Sequence, residues 1–166
     1  LNPNVEDEFL NKSLSLKDYI NEIIRSFKEI SKKDFIVDFK NYKNSFNLTK
    51  SLEIIYGLRN FIGNANKFSK KRIQIILNSD KVNSTIIIRD DGPGFPKDLI
   101  DKDRLGEPYI RTLDQKNISK YGLGLGTFIG KTLLEKNFAN ISFNNSSDDG
   151  GAEVVIKWKN NDLKLI

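Results

Sequence analysis

The chain has no cysteine, no histidine and no methionine. The first absence excludes disulfides, thiolate catalysis and zinc–thiolate sites, and it fits a reducing compartment. The second excludes imidazole as an acid–base catalyst or metal ligand within these 166 residues. No apolar run approaches the roughly 20 residues of a membrane-spanning helix, and no signal peptide is visible. Because methionine is missing even at position 1, we expect the sequence to be a piece of a longer protein.

The composition is that of one globular domain with a core, since 38% of the residues are hydrophobic and 30% are charged. The net charge of +5 arises from 27 basic and 22 acidic residues that are interspersed along the chain. Charge alone therefore gives little support to a nucleic-acid-binding function.

Hydrophobic periodicity predicts three helices and five strands. One helix falls within residues 13–33 with Ser13 or Ser15 as its N-cap, and another spans 49–69 with Thr49 or Ser51 as its cap. The third helix follows Gly126 and ends at residue 136. The strands are predicted at residues 34–40, 72–79, 84–90, 140–145 and 152–158, with the second and third forming a hairpin.

This order of elements predicts an α+β two-layer sandwich, in which helices cover one face of a single sheet. Residues 1–12 are polar, and we expect them to be a linker or the end of an upstream helix. Residues 96–121 have little regular pattern. A segment this long without secondary structure is usually functional or mobile in a compact domain.

The stretch KYGLGLGTFIGKT, residues 120–132, has the glycines of a phosphate-binding loop but not their spacing. A P-loop ending in Gly130-Lys-Thr needs its first glycine at the position of Leu125, and a dinucleotide loop needs a third glycine at Ile129. What remains is a glycine series running into an apolar helix, whose free N–H groups could face an anion. The same series could equally be a hinge.

Two further polar groups stand out. Asn60, Asn64 and Lys67 share one face of the predicted helix 49–69, where an amide oxygen could bind Mg²⁺ and an ammonium could bind phosphate. Asp90 ends a buried strand and begins DDGPGF, so that its carboxylate could accept a hydrogen bond from an exocyclic amine such as that of adenine. Taken singly, the first group could be a solvated face and the second a simple turn.

Together these motifs resemble the catalytic and ATP-binding domain of bacterial sensor histidine kinases, within the gyrase–Hsp90–kinase–MutL superfamily. NFIGNANKFS (60–69) is similar to the N box, DDGPGF (90–95) to the first glycine box and GLGLGTFIGKTLLE (122–135) to the second. DGGAEVVIKW (149–158) is similar to the closing glycine motif and last strand. With LGEPYIRT (105–112), the second box also resembles redox-responsive kinases that control photosynthesis and respiratory genes in purple bacteria.

The resemblance implies the Bergerat fold, a mixed and mostly antiparallel sheet with three helices on one face, and implies ATP and Mg²⁺ as ligands. ATP would lie between helix 49–69 and a lid at 96–121. Asn64 would ligate the metal, Asn60 and Lys67 would support metal and phosphates, Phe68 would pack near the adenine, and Asp90 would accept from its amino group. The loops would be shaped by Gly92, Gly94, Gly122, Leu123, Gly124, Leu125, Gly126 and Thr127, and the lid cations would be Arg104, Lys116 and Lys120. The sequence departs from the family at Ala152, where a threonine is common.

Hydrolases of this superfamily carry a glutamate base four residues before the N-box asparagine, and that position here is Asn60. Since an amide cannot accept the proton of an attacking water, we expect weak ATP hydrolysis and transfer of the γ-phosphoryl group to a separate acceptor. The resemblance implies that the acceptor is a histidine on an upstream dimerisation domain of a homodimeric, membrane-anchored sensor. It further implies that this domain is cytoplasmic and that a response regulator is a partner, with no role for nucleic acid.

Two alternatives stay open. An anti-sigma-factor-type serine/threonine kinase shares these boxes and also lacks the hydrolytic glutamate. A non-catalytic nucleotide-binding module, or a basic nucleic-acid binder, is the other.

Overall fold

The computed structural model describes residues 13–43, 45, 47–101, 125–147 and 150–166. Within those residues the chain forms seven strands and five helices. The helices are α1 (Leu16–Lys28), α2 (Leu52–Phe68), α3 (Lys97–Asp101), α4 (Leu125–Lys136) and α5 (Asn160–Leu163). The strands are β1 (Ser13–Leu14), β2 (Asp34–Asp38), β3 (Leu48–Thr49), β4 (Arg72–Ser79), β5 (Asn83–Asp90), β6 (Asn140–Asn145) and β7 (Ala152–Lys159).

Five strands form one sheet in the order β2-β4-β5-β7-β6. The β2–β4 pair is parallel and the other pairs are antiparallel, so the predicted mixed and mostly antiparallel sheet is confirmed. In β4, β5 and β7, alternate residues such as Ile75, Ile86 and Ile156 are fully buried. This alternation is the pattern of a sheet with one face packed and the other open.

Helices α1, α2 and α4 supply the second layer, and their buried residues join those of the sheet in one hydrophobic core. Ser15 caps α1 in a reciprocal capping box with Asp18. Ser51 caps α2 by accepting a hydrogen bond from Ile54 N. The other two predicted cap residues, Ser13 and Thr49, instead pair with each other across the short β1–β3 ribbon.

Helices α2 and α4 pack closely because glycines face the partner helix. A side chain at Gly57 would run into Leu134, and one at Gly130 would meet Phe61. At the outer end of the pair, Glu53 binds the Lys136 ammonium at 3.0 Å and the Asn137 amide at 2.8 Å. The Glu53 contacts hold the end of α4 against the beginning of α2, so the two helices run antiparallel and the beginning of α4 lies against the second half of α2.

The structure differs from the sequence-based expectations in several elements. Helix α1 ends at Lys28, not near residue 33, because the chain turns there and stacks Phe27 on Phe35 at 6.3 Å. Ile30, which helical spacing assigns to the apolar face, is therefore 80% exposed. The ribbon β1–β3 and the helices α3 and α5 were not predicted, and α3 lies within the segment expected to be irregular. No helix within the described ranges is long and apolar enough to cross a membrane.

Candidate functional site

One pocket lies between the second half of α2, the beginning of α4 and the ends of β5, β6 and β7. Most of its walls are apolar, and the polar side chains among its described lining are Asn64, Asp90 and Thr127. Five of the predicted nucleotide-binding residues therefore meet here, namely Asn64, Phe68, Asp90, Gly94 and Thr127.

Asp90 is the last residue of β5, and it is only 6% exposed. Its Oδ1 accepts a hydrogen bond from Gly92 N at 2.8 Å, which fixes the carboxylate at the inner end of the pocket. The chain of Gly151 passes so close that a side chain there would collide with the backbone carbonyl of Asp90. The closing glycine pair of the sequence thus lets β7 begin directly beside Asp90.

The turn after Asp90 is shaped by Gly94, whose φ of +80° favours glycine. A side chain at Gly94 would also strike the Gly150 carbonyl and, at 2.7 Å, the Asn145 side-chain oxygen. Asn145 accepts from Phe95 N at 2.7 Å and donates to Phe95 O at 2.9 Å. This paired contact ties the first glycine box to the end of β6.

Three phenylalanines form one wall of the pocket. The ring of Phe143 on β6 packs against Phe95 at 5.7 Å in an edge-to-face arrangement and against Phe61 at 5.9 Å. Ala152 and Val154 of the neighbouring strand β7 also line the pocket, and Val154 pairs with Phe143. The departure noted at Ala152 therefore lies in the pocket itself, where a methyl group takes the place of a threonine hydroxyl.

Asn64 links the two helices that flank the pocket. Its amide nitrogen donates to the Thr127 hydroxyl at 3.2 Å, and Thr127 is itself buried. This bond directs the nitrogen towards α4 and leaves the amide oxygen as the atom suited to a hard cation. Within the described part of the chain there is no group of three acidic, histidine or cysteine residues that could hold a metal. A single amide oxygen fits Mg²⁺, which usually keeps several waters and takes its other ligands from substrate phosphates.

The other two predicted polar site residues of the N box, Asn60 and Lys67, are not among the described residues that line the pocket. The Asn60 amide donates to Tyr56 O at 2.8 Å, and its Oδ1 lies 3.3 Å from the point where a side chain at Gly126 would begin. The exposed Lys67 ammonium lies 5.1 Å above the Phe68 ring, within cation–π range. An exposed cation thus lies beside an aromatic ring of the pocket lining.

Asp91 contributes to the site although the sequence reasoning passed over it. Its carboxylate accepts hydrogen bonds from the backbone N–H groups of Lys70, Lys71 and Arg72 at 2.7, 3.1 and 3.2 Å. Partial burial acts to raise the pKa of Asp91, but these N–H groups outweigh it and hold the pKa below its ordinary value. The sequence signal that could have identified Asp91 is its position directly after Asp90 in the motif DDGPGF. Asn145 is the other supporting residue that the sequence reasoning missed, and no sequence pattern indicated its role.

The remaining predicted residues cannot be compared with the pocket. Leu125 begins α4, and only its backbone is described. The predictions that lie outside the described residues are the linker at 1–12, most of the lid, and Arg104, Lys116, Lys120, Gly122, Leu123 and Gly124.

Comparison with known proteins identifies the family from the sequence. Residues 49–162 match the family described as histidine kinase-, DNA gyrase B- and HSP90-like ATPase. Sensor histidine kinase RegB of Cereibacter sphaeroides is 41% identical over 103 residues, which are 58% of this chain and 21% of RegB. The chain thus spans about a fifth of that relative's length.

Solved structures of histidine kinases share the fold. The nucleotide-free catalytic domain of histidine kinase ThkA superposes with a TM-score of 0.70 at 19% identity, covering 89% of this chain and 95% of that one. Full-length ShkA in complex with AMPPNP gives a TM-score of 0.66 at 17% identity, covering 89% of this chain and 30% of ShkA. The α+β sandwich and the resemblance to sensor histidine kinases are confirmed, and the chain belongs to the histidine kinase-, DNA gyrase B- and HSP90-like ATPase family.

Proposed function

We propose that this chain is the ATP-binding catalytic domain of a sensor histidine kinase. Membership of an ATPase family implies that it binds ATP. The observation that carries the proposal is the convergence of three separate motifs on one pocket. Asn64 of the N box, Asp90 and Gly94 of the first glycine box and Thr127 of the second all line it. The related fold of ShkA was solved with AMPPNP, a nucleotide of the required kind.

In the proposed complex the adenine enters the apolar part of the pocket. Asp90 accepts a hydrogen bond from the exocyclic amine, and a buried carboxylate gains from this pairing because water is largely excluded. Phe68 contacts the flat face of the ring. Ala152 offers no hydroxyl at this place, so recognition of the base relies on Asp90 more heavily than it would beside a threonine.

The phosphates lie towards α4 and the outer face of α2. Asn64 provides an amide oxygen for Mg²⁺, while Lys67 and Asn60 support the phosphates and the metal-bound waters. When bound, Mg²⁺ neutralises the charge that develops on the phosphate oxygens. The described residues of α4 bring Gly126 and Thr127 to the same corner, where Gly126 lies beside the Asn60 amide.

The proposed reaction is phosphoryl transfer and not hydrolysis. A nitrogen of the acceptor imidazole forms a bond to the γ-phosphorus, the bond to the β–γ bridging oxygen breaks, and ADP leaves with that electron pair. The phosphorylated ring, which is cationic after the attack, then loses the proton on its other nitrogen to solvent. Among the described residues that line the pocket, Asp90 has the only carboxylate, and it lies at the base-binding end. With Asn60 in the place of the hydrolytic glutamate, none of the described residues at the phosphate end of the pocket is a carboxylate that could activate water.

The acceptor histidine must come from elsewhere, because the chain has none. We propose that a dimerisation domain of the same protein supplies it, that the whole protein is a homodimer, and that a response regulator receives the phosphoryl group. We also propose that the domain lies in the cytoplasm, where ATP is supplied, and that it is attached to a membrane-anchored sensor, as the sequence resemblance implies. Redox sensing stays a prediction that rests on the sequence resemblance.

Calorimetric titration with AMPPNP, with and without Mg²⁺, tests the nucleotide site. We expect Asp90→Ala to abolish measurable binding and Asn64→Ala to remove the difference between the two conditions. Asp34→Ala and Asn140→Ala are matched controls, because both side chains are exposed and neither residue lines the pocket. A folded parent that does not bind AMPPNP, or an Asp90→Ala variant that binds like the parent, would refute the proposal.

Transfer is tested separately by mixing the chain, [γ-³²P]ATP and the dimerisation domain of the full-length protein. We expect label on that domain that is lost in acid and kept in alkali, as phosphohistidine requires. Acid-stable label would support the serine/threonine kinase alternative. Label that appears only as free phosphate would contradict the assignment of Asn60 as a non-base.

A further inference from the structure

The α2–β4 connection is defined as residues 66–72, which comprise the last residues of α2, the loop after it and the first residue of β4. This segment carries two of the proposed nucleotide contacts, Lys67 and Phe68. It also approaches the first glycine box, because a side chain at Gly92 would collide with the Phe68 carbonyl. A small shift of this connection would therefore move both the wall of the pocket and the turn after Asp90. Two charged side chains, those of Lys33 and Asp91, form hydrogen bonds with its backbone.

Lys33 forms hydrogen bonds with the backbone of the first half of the connection. The half-buried Lys33 ammonium donates to the carbonyls of Asn66 at 2.6 Å and Ser69 at 2.5 Å. The carbonyls in the last turn of a helix lack partners within the helix, and a cation there also opposes the negative end of the helix dipole. Ser31 adds a 2.6 Å bond from its hydroxyl to the Asn66 side chain.

Asp91 binds the second half of the connection, because its carboxylate accepts hydrogen bonds from the three backbone N–H groups of residues 70–72. The backbone of Asp91 also donates to Arg72 O at 3.3 Å, so the first glycine box and the beginning of β4 are joined by both side chain and main chain. Hydrogen bonds to an ionised group are roughly twice as strong as neutral ones.

We propose that Lys33 and Asp91 are positioning residues for the nucleotide. Neither lines the pocket within the described residues. A cation bound to the carbonyls at 66 and 69 and an anion bound to the amides at 70–72 fix the path of the connection between them. That path sets where Lys67 and Phe68 stand relative to Asp90. The inference rests on the proposed function, since it concerns the same pocket.

The expected size of the effect follows from populations. If removing either charge leaves the connection in its binding arrangement for about a tenth of the time, the apparent affinity falls about tenfold. This loss of nucleotide affinity should depend on the side chains of Lys67 and Phe68, which the connection positions. In a Phe68→Ala variant the ring that contacts the adenine is absent, so the position of the backbone at residue 68 has less influence on nucleotide affinity. Replacing Asp91 should then lower that affinity by a smaller factor than in the parent.

The experiment measures Mg²⁺–AMPPNP affinity of the 166-residue chain for Asp91→Asn and Lys33→Met, well below their unfolding temperatures. Asp80→Asn is a matched control, because Asp80 accepts from Val82 N and Asn83 N at 2.7 Å in the same manner at the far end of the β4–β5 hairpin. Lys32→Met is the control for Lys33→Met, and Lys33→Arg tests rescue by a longer cation.

We expect about tenfold weaker binding for Asp91→Asn and Lys33→Met, near-parental binding for both controls and at least partial recovery in Lys33→Arg. The loss from Asp91→Asn should shrink in a Phe68→Ala background. A parent that binds while Asp91→Asn and Lys33→Met bind equally well would overturn this inference alone. Equal losses in Asp80→Asn and Asp91→Asn, or an undiminished loss in the Phe68→Ala background, would show a general structural role and also overturn it. A parent that does not bind refutes the proposed function and this inference with it.

Discussion

Gly57 and Gly63 lie on the same helix, α2, but a methyl group would meet different neighbours at the two positions. At Gly57 the added carbon would lie 2.6 Å from Leu134 Cγ and 2.8 Å from Cδ2, in a region where Leu134 is fully buried. At Gly63 it would lie 3.5 Å from the edge of the Phe27 ring, an ordinary van der Waals contact. Replacing each glycine by alanine therefore separates helix propensity from packing.

The magnitudes of the two effects decide the sign at each position. Alanine favours a helix over glycine by about 1 kcal/mol, and this gain applies at both positions. Overpacking a well-filled core costs about 1–3 kcal/mol, and this cost applies at Gly57 alone. We expect Gly63→Ala to raise the free energy of unfolding by about 0.5–1 kcal/mol and Gly57→Ala to lower it by up to about 2 kcal/mol.

Urea unfolding and thermal unfolding without nucleotide measure both changes. For a chain of this size, 1 kcal/mol corresponds to roughly 2–4 °C in the midpoint. The two variants should therefore move the midpoint in opposite directions. If Gly57→Ala proved as stabilising as Gly63→Ala, Leu134 could not lie against α2 as described, and the reasoning on the α2–α4 contact would be refuted.

Three further outcomes are expected. Gly94→Ala should lower stability by about 2 kcal/mol or more in urea unfolding, because it adds strain at positive φ to a collision with backbone, and an unchanged midpoint would contradict the turn described. Trp158→Phe should cost about 1 kcal/mol or more in the same assay, since the Trp158 Nε1–Asn137 O bond of 3.0 Å is lost in a buried site, and a neutral result would mean that this bond is absent in solution. Because the folded state holds the pKa of Asp91 below its unfolded value near 3.8, that stabilisation is present above about pH 4 and is lost as the pH falls through the folded pKa. The midpoint of Asp91→Asn should therefore approach that of the parent in acid, and a constant gap between them from pH 7 to pH 3 would be inconsistent with this.

The sequence predicted the regular parts of the fold well because their signals are local. The strands at 72–79 and 140–145 have the predicted bounds, and both strands of the β4–β5 hairpin are rich in isoleucine. The ribbon of Ser13 with Thr49 gave no such signal, since its two strands have two residues each and depend on contacts between distant parts of the chain. Helix α1 was predicted too long because its last apolar residue, Ile30, matched the helical spacing without being buried.

The candidate site was predictable where a residue type points to a chemistry. Strand alternation and the following glycines identified Asp90, and two asparagines on one helical face drew attention to Asn64. The supporting residues were not predictable in this way. Asp91 acts on the amides of residues 70–72, and this contact requires the register that pairs Ile73 with Asp90. Lys33 acts on the end of a helix more than 30 residues away, which no local pattern indicates.

The pairing of β5 with β7 has a consequence for the order in which the chain assembles. The β4–β5 and β6–β7 pairs each join neighbouring strands of the described chain, whereas Arg89 of β5 meets Glu153 of β7 across 64 residues. Closing so long a loop costs entropy before any contact repays it, so pairings of this kind tend to form late. Asp90 stands at one side of this junction and Ala152 at the other. The pocket therefore does not exist in a chain that has not paired β5 with β7, and any ligand that occupies it stabilises only those molecules that have completed this long-range pairing.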